Sequence, residues 1–353
     1  MQIALIGWQG GGKSTLFTAL TGSEPAAGAE AHPGVAEIPD EQLDRLHELY
    51  PPAKKIRAKV EYLDVAGLAA TQKRSGLKRS LISHLQGASV LAPVIGLYAF
   101  GAADPAELAN LVTAELRDLE VELLLSDLQT AEARRERIDR TRRTGQSVDR
   151  TEDAAIDEVL AALNAETPLR EIDFAPERDR ALRSFGFLTK KPLLTVINRG
   201  EEQDGEAIAA ALGETLSGKR RATAVVDARL EAEIALLDEE DRAPFLRELG
   251  IERPASERVL QAGFALLGLI RFFTVGDDEV RSWPIVEGTP AVQAAGEIHS
   301  DLQRGFIRAE VVSSDDLLAH GSLAACRDKG LLRLEGKDYR VRDGDVMHVR
   351  FAV

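Results

Sequence analysis

Gly7-Trp8-Gln9-Gly10-Gly11-Gly12-Lys13-Ser14 fits the pattern G-x-x-x-x-G-K-[ST] without exception, and no other run constrains the fold as much. Such a loop wraps phosphates with inward-pointing backbone N–H groups, and glycine supplies both the dihedrals and the close approach. The flanks agree. Gln2–Gly7 (QIALIG) is a short apolar run suited to a buried parallel strand, and Lys13–Thr21 reads as a helix with Gly22 just past its end. The helix start behind the loop adds a partial positive charge. In this reading Gly7, Gln9, Gly10, Gly11, Gly12 and Thr15 line the nucleotide, Lys13 reaches the β- and γ-phosphates, and the Ser14 hydroxyl ligates Mg²⁺. An incidental glycine-rich turn is the alternative, and the strand before it and helix after it argue against that.

Further along, Lys59–Val65, Val90–Leu97, Pro192–Asn198 and Ala222–Asp227 read as strands that end in polar loops. Helical stretches alternate with them, at Glu41–Leu49 and Leu77–Gln86, which predicts a three-layer α/β sheet. Ser23–Pro39, rich in Ala, Gly and Pro, reads as a flexible loop. Two regions break the rhythm. From Asp104 to about Arg180 there is no strand signal. Instead Leu108, Val112, Leu116, Leu119 and Leu123 mark a long amphipathic helix, Thr144–Ser147 a turn, and Glu152–Ala165 a second helix. From Phe272 onward short β-like runs (Arg281–Ile285, Phe306–Val312, Asp338–Val341, Val346–Phe351) predict a small β-rich domain.

Composition narrows the setting. The 353 residues are 44% hydrophobic and 29% charged with a formal net charge of −14, which fits a globular chain and argues against wholesale nucleic-acid coating. DNA is therefore not an expected partner. The single cysteine, Cys326, excludes an internal disulfide and reads as a small buried apolar residue rather than a nucleophile. No signal peptide and no bilayer-length apolar run is visible, so the expected compartment is the cytoplasm, away from membranes.

Three strand ends carry candidate chemistry. In Asp64-Val65-Ala66-Gly67 a carboxylate can hold Mg²⁺ and Gly67 can offer an N–H to the γ-phosphate; Leu68 then stands where a Gln often orients the attacking water. Lys13, Gly67 and Leu68 are thus the residues assigned to the reacting end. Asn198-Arg199-Gly200-Glu201 stands where a base would lie, with Asn198 and Glu201 as its readers. Asp227-Ala228 ends the last strand and offers a backbone contact to the base.

Together these residues resemble the Obg-like ATPase (YchF) family of P-loop proteins. Asp64-Val65-Ala66-Gly67-Leu68 is similar to its D-x-A-G-L switch, Asn198 and Glu201 to its N-x-x-E base motif, and the stretch from Phe272 (FFTVGDDEVRSWPIVEGTPAVQAAGEIHSDLQRGFIRAEVV) to its C-terminal TGS domain. The resemblance implies an α/β P-loop NTPase domain over 1–103 and 184–268, an inserted helical, coiled-coil arm over 104–183, and a β-grasp TGS domain over 269–353. It further implies ATP, with GTP as the alternative, and a role at ribosomes in translation or stress regulation. Three departures stand out. Gly10-Gly11 replace N-V, Pro25–Gly34 lacks the usual switch Thr, and a histidine-bearing loop before Asp104 is missing. Slow Mg²⁺-dependent hydrolysis is the first expectation. A nucleotide-responsive ribosome-binding module with little hydrolysis, or a GTP-preferring GTPase, are the others.

Remaining candidates have bland readings beside sharp ones. Arg134, Arg135, Arg137, Arg140, Arg142, Arg143 and Arg150 cluster near the hairpin tip and either meet ribosomal RNA phosphates or form a solvated face with local ion pairs. His84 could stand in for the missing catalytic histidine or be structural. His299 and Arg304 suit packing or a partner surface. No cluster has transition-metal ligand spacing.

Overall fold

A computed structural model describes residues 2–26, 28–51, 54–68, 77–101, 103–216 and 218–352. The chain divides into two units, Met1–Ala36 with Glu61–Leu266, and Glu37–Val60 with Leu267–Val353. In chain order the elements are β1 (Gln2–Ile6), α1 (Lys13–Thr21), β2 (Ala31–Glu37), α2 (Glu41–Leu49), β3 (Lys54–Ile56), β4 (Lys59–Val65), α3 (Arg79–Gly87), β5 (Val90–Gly96), α4 (Pro105–Arg143), α5 (Arg150–Asn164), α6 (Pro176–Leu182) and β6 (Leu193–Asn198). There follow α7 (Gly205–Leu212), β7 (Arg221–Val226), α8 (Ala228–Leu236), α9 (Glu239–Glu248), α10 (Ala255–Leu266), β8 (Leu269–Val275), β9 (Glu279–Val286), α11 (Ala291–Ile298), α12 (Ser300–Arg304), β10 (Phe306–Ser313), α13 (Ser314–His320), α14 (Leu323–Asp328), β11 (Arg333–Glu335) and β12 (Asp345–Phe351).

The first sheet has the order β2-β4-β1-β5-β6-β7. Its pairings β1–β4, β1–β5, β5–β6 and β6–β7 are parallel. β1 lies between β4 and β5, so the strand order reverses direction there. A crevice opens beyond the carboxyl ends of such strands, and the loop after β1 sits in it. β6 is buried along its whole length, as the unbroken apolar run Leu193–Ile197 requires. On one face of the sheet Leu108, Val112, Leu116, Leu119 and Leu123 of α4 pack with Ile6, Val65, Leu91 and Ile197, as their spacing predicts. Against β1, Gly263 of α10 comes so close that a Cβ would stand 2.6 Å from Ile3 Cδ1.

α4 runs for 39 residues, about 60 Å at the rise of an α-helix. Asp104 caps it by accepting from the Ala106 N–H at 2.7 Å. The chain turns at Gly145, where φ is +75°, and α5 returns under the cap of Asp149. Ala131 and Ile138 pack against Ala155, Ile156, Val159 and Leu163 between the two helices. No strand interrupts 104–180, as expected.

Two buried polar anchors hold this insertion to the sheet. Asp127 accepts from the Leu188 N–H (2.8 Å), the Thr189 N–H (2.7 Å) and the Thr189 hydroxyl (2.6 Å). Burial pushes the Asp127 carboxyl up to about 6, and these three bonds oppose that shift. Beside it, Glu120 meets Arg170 at 2.5 Å and Arg221 of β7 at 3.0 Å. Burial draws the Arg170 guanidinium down while Glu120 opposes the shift.

The second unit carries a mixed sheet of order β11-β10-β12-β8-β9-β3. Phe272, Trp283, Ala291, Ala294, Phe306 and Val311 form the core under α11, and Leu43, Leu46, Phe273, Val280, Val312 and Cys326 form the core on the other side. Cys326 is fully buried and burial pushes its thiol up, so the bland reading of it holds.

Three sequence expectations are corrected. Ser23–Pro39 is not all loop: β2 forms there as a sheet-edge strand, where Pro33 costs no ladder bond. Its residues have little intrinsic strand preference, and pairing with β4 overrides that. Residues 37–60, placed with the nucleotide domain, cluster instead with the C-terminal unit. The cause is that α2 buries Leu43 and Leu46 in that unit's core while β3 pairs in parallel with β9. Asp338–Val341 is a turn with a single bridge, Pro290 to Arg340, and the strand of that region is β11.

Replacing Asp127 by Ala would strand three buried donors. Asp127→Ala should lower stability by about 3 kcal/mol, read as a shift of the urea midpoint; an unchanged midpoint would mean that the three donors find other partners.

Candidate functional site

Gly7, Gly10 and Gly12 have φ of +138°, +84° and +87°, which L side chains rarely adopt. Around Gly7, Gly11 and Gly12, though not Gly10, space forbids side chains as well. A Cβ on Gly7 or Gly11 would lie 2.6 and 2.8 Å from the Val94 carbonyl oxygen of β5, and one on Gly12 would collide with the Asn198 amide. The loop is fastened below by an exchange with the switch segment: the Gln9 N–H donates to Leu68 O at 2.9 Å and the Leu68 N–H to Gly7 O at 3.0 Å. Gly67 is equally tight, since a Cβ there would stand 2.8 Å from Gln9 Cα and 2.9 Å from Lys13 Nζ.

A cavity of about 560 Å³ opens over this loop, lined among others by Gln9, Gly10, Lys13, Ser14, Asp64 and Gly67. Lys13 is only 6% exposed. Its ammonium donates to Trp8 O at 3.0 Å. Burial pushes its pKa down, and the nearby Asp64 works against that shift. An anion in the cavity would supply the missing compensation. The Ser14 hydroxyl donates to Asp64 Oδ2 at 2.7 Å, and Asp64 Oδ1 is buried with no hydrogen-bond partner among the described residues. A hydroxyl and an under-satisfied carboxylate, both hard oxygen donors, fit a magnesium ion. Among the described residues no group of three or more His, Cys, Asp or Glu could hold a metal by itself, so any such ion would need ligand oxygens from the substrate.

A second cavity, about 780 Å³, adjoins the first at Gly12, Thr15 and Tyr98 and is lined by Asn198, Gly200, Glu201, Asp227, Arg229 and Leu230. The sequence-derived base residues therefore converge, but their roles separate. Asn198 is 4% exposed and both ends of its amide are engaged: Nδ2 donates to Gly11 O at 3.3 Å and Oδ1 accepts from the Ala228 N–H at 3.0 Å. It locks three loops together. That leaves the Ala228 N–H unavailable to a base. Asp227 caps α8 by accepting from the Leu230 N–H at 3.2 Å. Glu201 is exposed on the cavity wall.

Leu68 is 8% exposed and packs in the core with Leu85, Leu119 and Leu123, so only its backbone serves the site. His84 lies on α3 and does not line the phosphate cavity. At the hairpin tip Arg134 pairs with Glu152 (2.5 Å), Arg135 with Asp153 and Asp157 (both 2.6 Å), and Arg142 with Asp153 (2.6 Å). Arg137, Arg140, Arg143 and Arg150 are exposed. His299 caps α12, accepting from the Asp301 N–H at 3.2 Å, and Arg304 pairs with Asp301; both side chains are otherwise exposed.

Three contributors escaped the sequence reading. Tyr98 lines both cavities and its hydroxyl donates to Gly10 O. Gln203 accepts from the Gly200 N–H at 2.8 Å and donates to Leu97 O at 2.9 Å, which shapes the loop after β6. His32, at the start of β2, faces the phosphate cavity. None belongs to a short motif; Tyr98 and Gln203 follow the ends of β5 and β6, which was their available signal, and His32 had none.

Comparison with known proteins covers the whole chain. Residues 2–135 match a family model described as 50S ribosome-binding GTPase, and residues 269–352 match the YchF-GTPase C-terminal model, described as a protein of unknown function. A protein named Ribosome-binding ATPase YchF from Bacillus subtilis (strain 168) is 35% identical over 367 residues, covering 99% of this chain and 98% of its own. The protein of that name from Escherichia coli O157:H7 is 34% identical over 364 residues, with coverage of 99% and 98%. The Schizosaccharomyces pombe YchF GTPase structure superposes with a TM-score of 0.80 at 25% identity, covering 99% of this chain and 97% of that one. No helix among the described residues is long and apolar enough to cross a membrane.

If Asn198 holds the loop rather than reading the base, Asn198→Ala should weaken ATP and GTP alike, by about tenfold or more, in competition against a fluorescent analogue. Loss of one nucleotide only would make it a base reader instead.

Proposed function

The chain belongs to the YchF family, and from that membership and the phosphate site we propose that it binds ATP with Mg²⁺, hydrolyses it slowly, and acts at the ribosome in the cytoplasm. The observation that carries this is the Ser14–Asp64 pair with its under-satisfied oxygen beside the buried Lys13. Ser14 and Asp64 would hold the magnesium ion, which supplies neutralisation of phosphate charge. The amides of Gln9–Ser14 would cradle the phosphates, Lys13 would exchange its bond to Trp8 O for one to the β- and γ-phosphates, and Gly67 would offer its N–H to the γ-phosphate. Thr15 and Tyr98 border the passage between the cavities, where a sugar would lie, and Glu201 would accept the exocyclic amine of the base. Asp227 and Ala228 would serve that wall indirectly, through α8.

Catalysis of this kind is positioning and charge stabilisation. Leu68 gives no side-chain hydrogen bond to water, which is the physical basis for slow turnover. The same packing favours a second reading, a nucleotide-responsive ribosome-binding module with little hydrolysis. GTP remains the competing substrate, since a carboxylate at Glu201 accepts from guanine as well.

Ribosomal RNA phosphates would meet the hairpin tip at Arg137, Arg140, Arg143 and Arg150, because Arg134, Arg135 and Arg142 are spent on α5 acids. The C-terminal unit, taken as a TGS-like β-grasp domain, would be a second ribosome-facing surface. The helical arm is proposed as a separate functional part over 104–183.

Lys13→Ala should abolish nucleotide binding by titration calorimetry; retained micromolar ATP affinity would defeat the assignment. Wild-type protein should hydrolyse ATP with a turnover that ribosomes raise, and zero hydrolysis overnight with ribosomes present would select the second reading. Reversing Arg137, Arg140, Arg143 and Arg150 to Glu together should cut ribosome co-sedimentation at least tenfold and flatten the salt dependence of what remains, while ATP affinity stays within twofold of wild type (about 0.4 kcal/mol).

A further inference from the structure

His32 stands at the start of β2 and lines the same cavity as Lys13, Ser14, Asp64 and Gly67. Two contacts fix its ring. Nδ1 accepts from the Ala26 N–H at 3.4 Å, and the ring packs edge-on against Phe17, with centroids 5.5 Å apart and planes at 76°. Phe17 is fully buried in α1 and is pressed by β2, since a Cβ on Gly34 would collide with its ring. The segment before β2 is also tied to the switch strand, because the Ala66 N–H donates to Glu30 O at 2.9 Å. The imidazole is therefore oriented by its surroundings rather than loose on an edge.

A neutral imidazole that accepts at Nδ1 carries its proton at Nε2. Nε2 has no hydrogen-bond partner among the described residues. An N–H at that atom cannot ligate a metal, which needs a lone pair; it needs an acceptor. Acceptors are what the terminal phosphate of a triphosphate would bring to this cavity. The stretch 25–34 offers no Ser or Thr hydroxyl for that task. The cavity thus holds an under-satisfied carboxylate oxygen at Asp64 and, among its lining residues, an imidazole whose Nδ1 already accepts from the Ala26 N–H.

We propose that His32 is the residue that tells a triphosphate from a diphosphate, by donating from Nε2 to the γ-phosphate. This rests on the phosphate-site reading above. The contact would tie the third phosphate to the start of β2 and, through the ring packing already present, to Phe17 of α1.

The test is calorimetric titration of wild type, His32→Ala and His32→Gln with ADP and with a non-hydrolysable ATP analogue, each with Mg²⁺. His32→Ala should lose about tenfold for the analogue, the worth of one charge-assisted hydrogen bond, with ADP affinity unchanged. His32→Gln, whose amide can donate from a similar reach, should recover most of that loss. Equal loss for ADP and analogue would mean that His32 only supports the loop, and no loss for either would remove it from the site; both overturn the proposal. Wild type binding neither ligand would instead overturn the phosphate-site reading itself.

Discussion

The nucleotide-facing edge of the first unit depends on glycine main chain passing closer to its neighbours than a Cβ allows. The loop after β1 rests against the Val94 carbonyl at Gly7 and Gly11, against Asn198 at Gly12, and beneath Gly67 at Gln9. These approaches put the exchange between Gln9, Leu68 and Gly7 within bonding distance, so that two loops become one floor. Lys13 then sits low enough to be desolvated, and Ser14 meets Asp64. A methyl group at any of these glycines would lift the floor and separate the groups above it.

What the sequence disclosed follows from the range of the interactions. The phosphate loop is local, eight residues whose dihedrals and chemistry are written in adjacent letters. The long helix is legible because five apolar residues repeat at helical spacing and all five are buried. β2 was opaque because AHPGVAE has no apolar alternation, and only the ladder to β4 makes it a strand. Tyr98, Gln203 and His32 were missed for the same reason: each matters through partners that are distant in sequence.

Asn198 shows a subtler gap. Its position at the end of β6 was singled out as a base contact, and its two bonds run to Gly11 and Ala228, both protein groups. Pattern reading locates a residue without saying which way its amide faces. The arginine cluster is a parallel case. Composition suggested a basic tip, whereas Glu152, Asp153 and Asp157 on the returning helix neutralise three of its members. Glu201, exposed on the wall of the second cavity, can vary in length or identity without disturbing the loop that Asn198 secures.

The early placement of α2 in the chain has a consequence for how the molecule is made. Leu43 and Leu46 are completed by Phe273, Val312 and Val346, all near the other end of the polypeptide. A nascent chain emits this amphipathic helix about 230 to 300 residues before those companions, a wait on the order of ten seconds or more at ordinary elongation rates. Throughout that interval Leu43 and Leu46 form an apolar edge on α2 whose partners have not yet been made. The C-terminal unit is then a late-maturing module whose first piece must be kept from sticking to neighbours until the final strand is released.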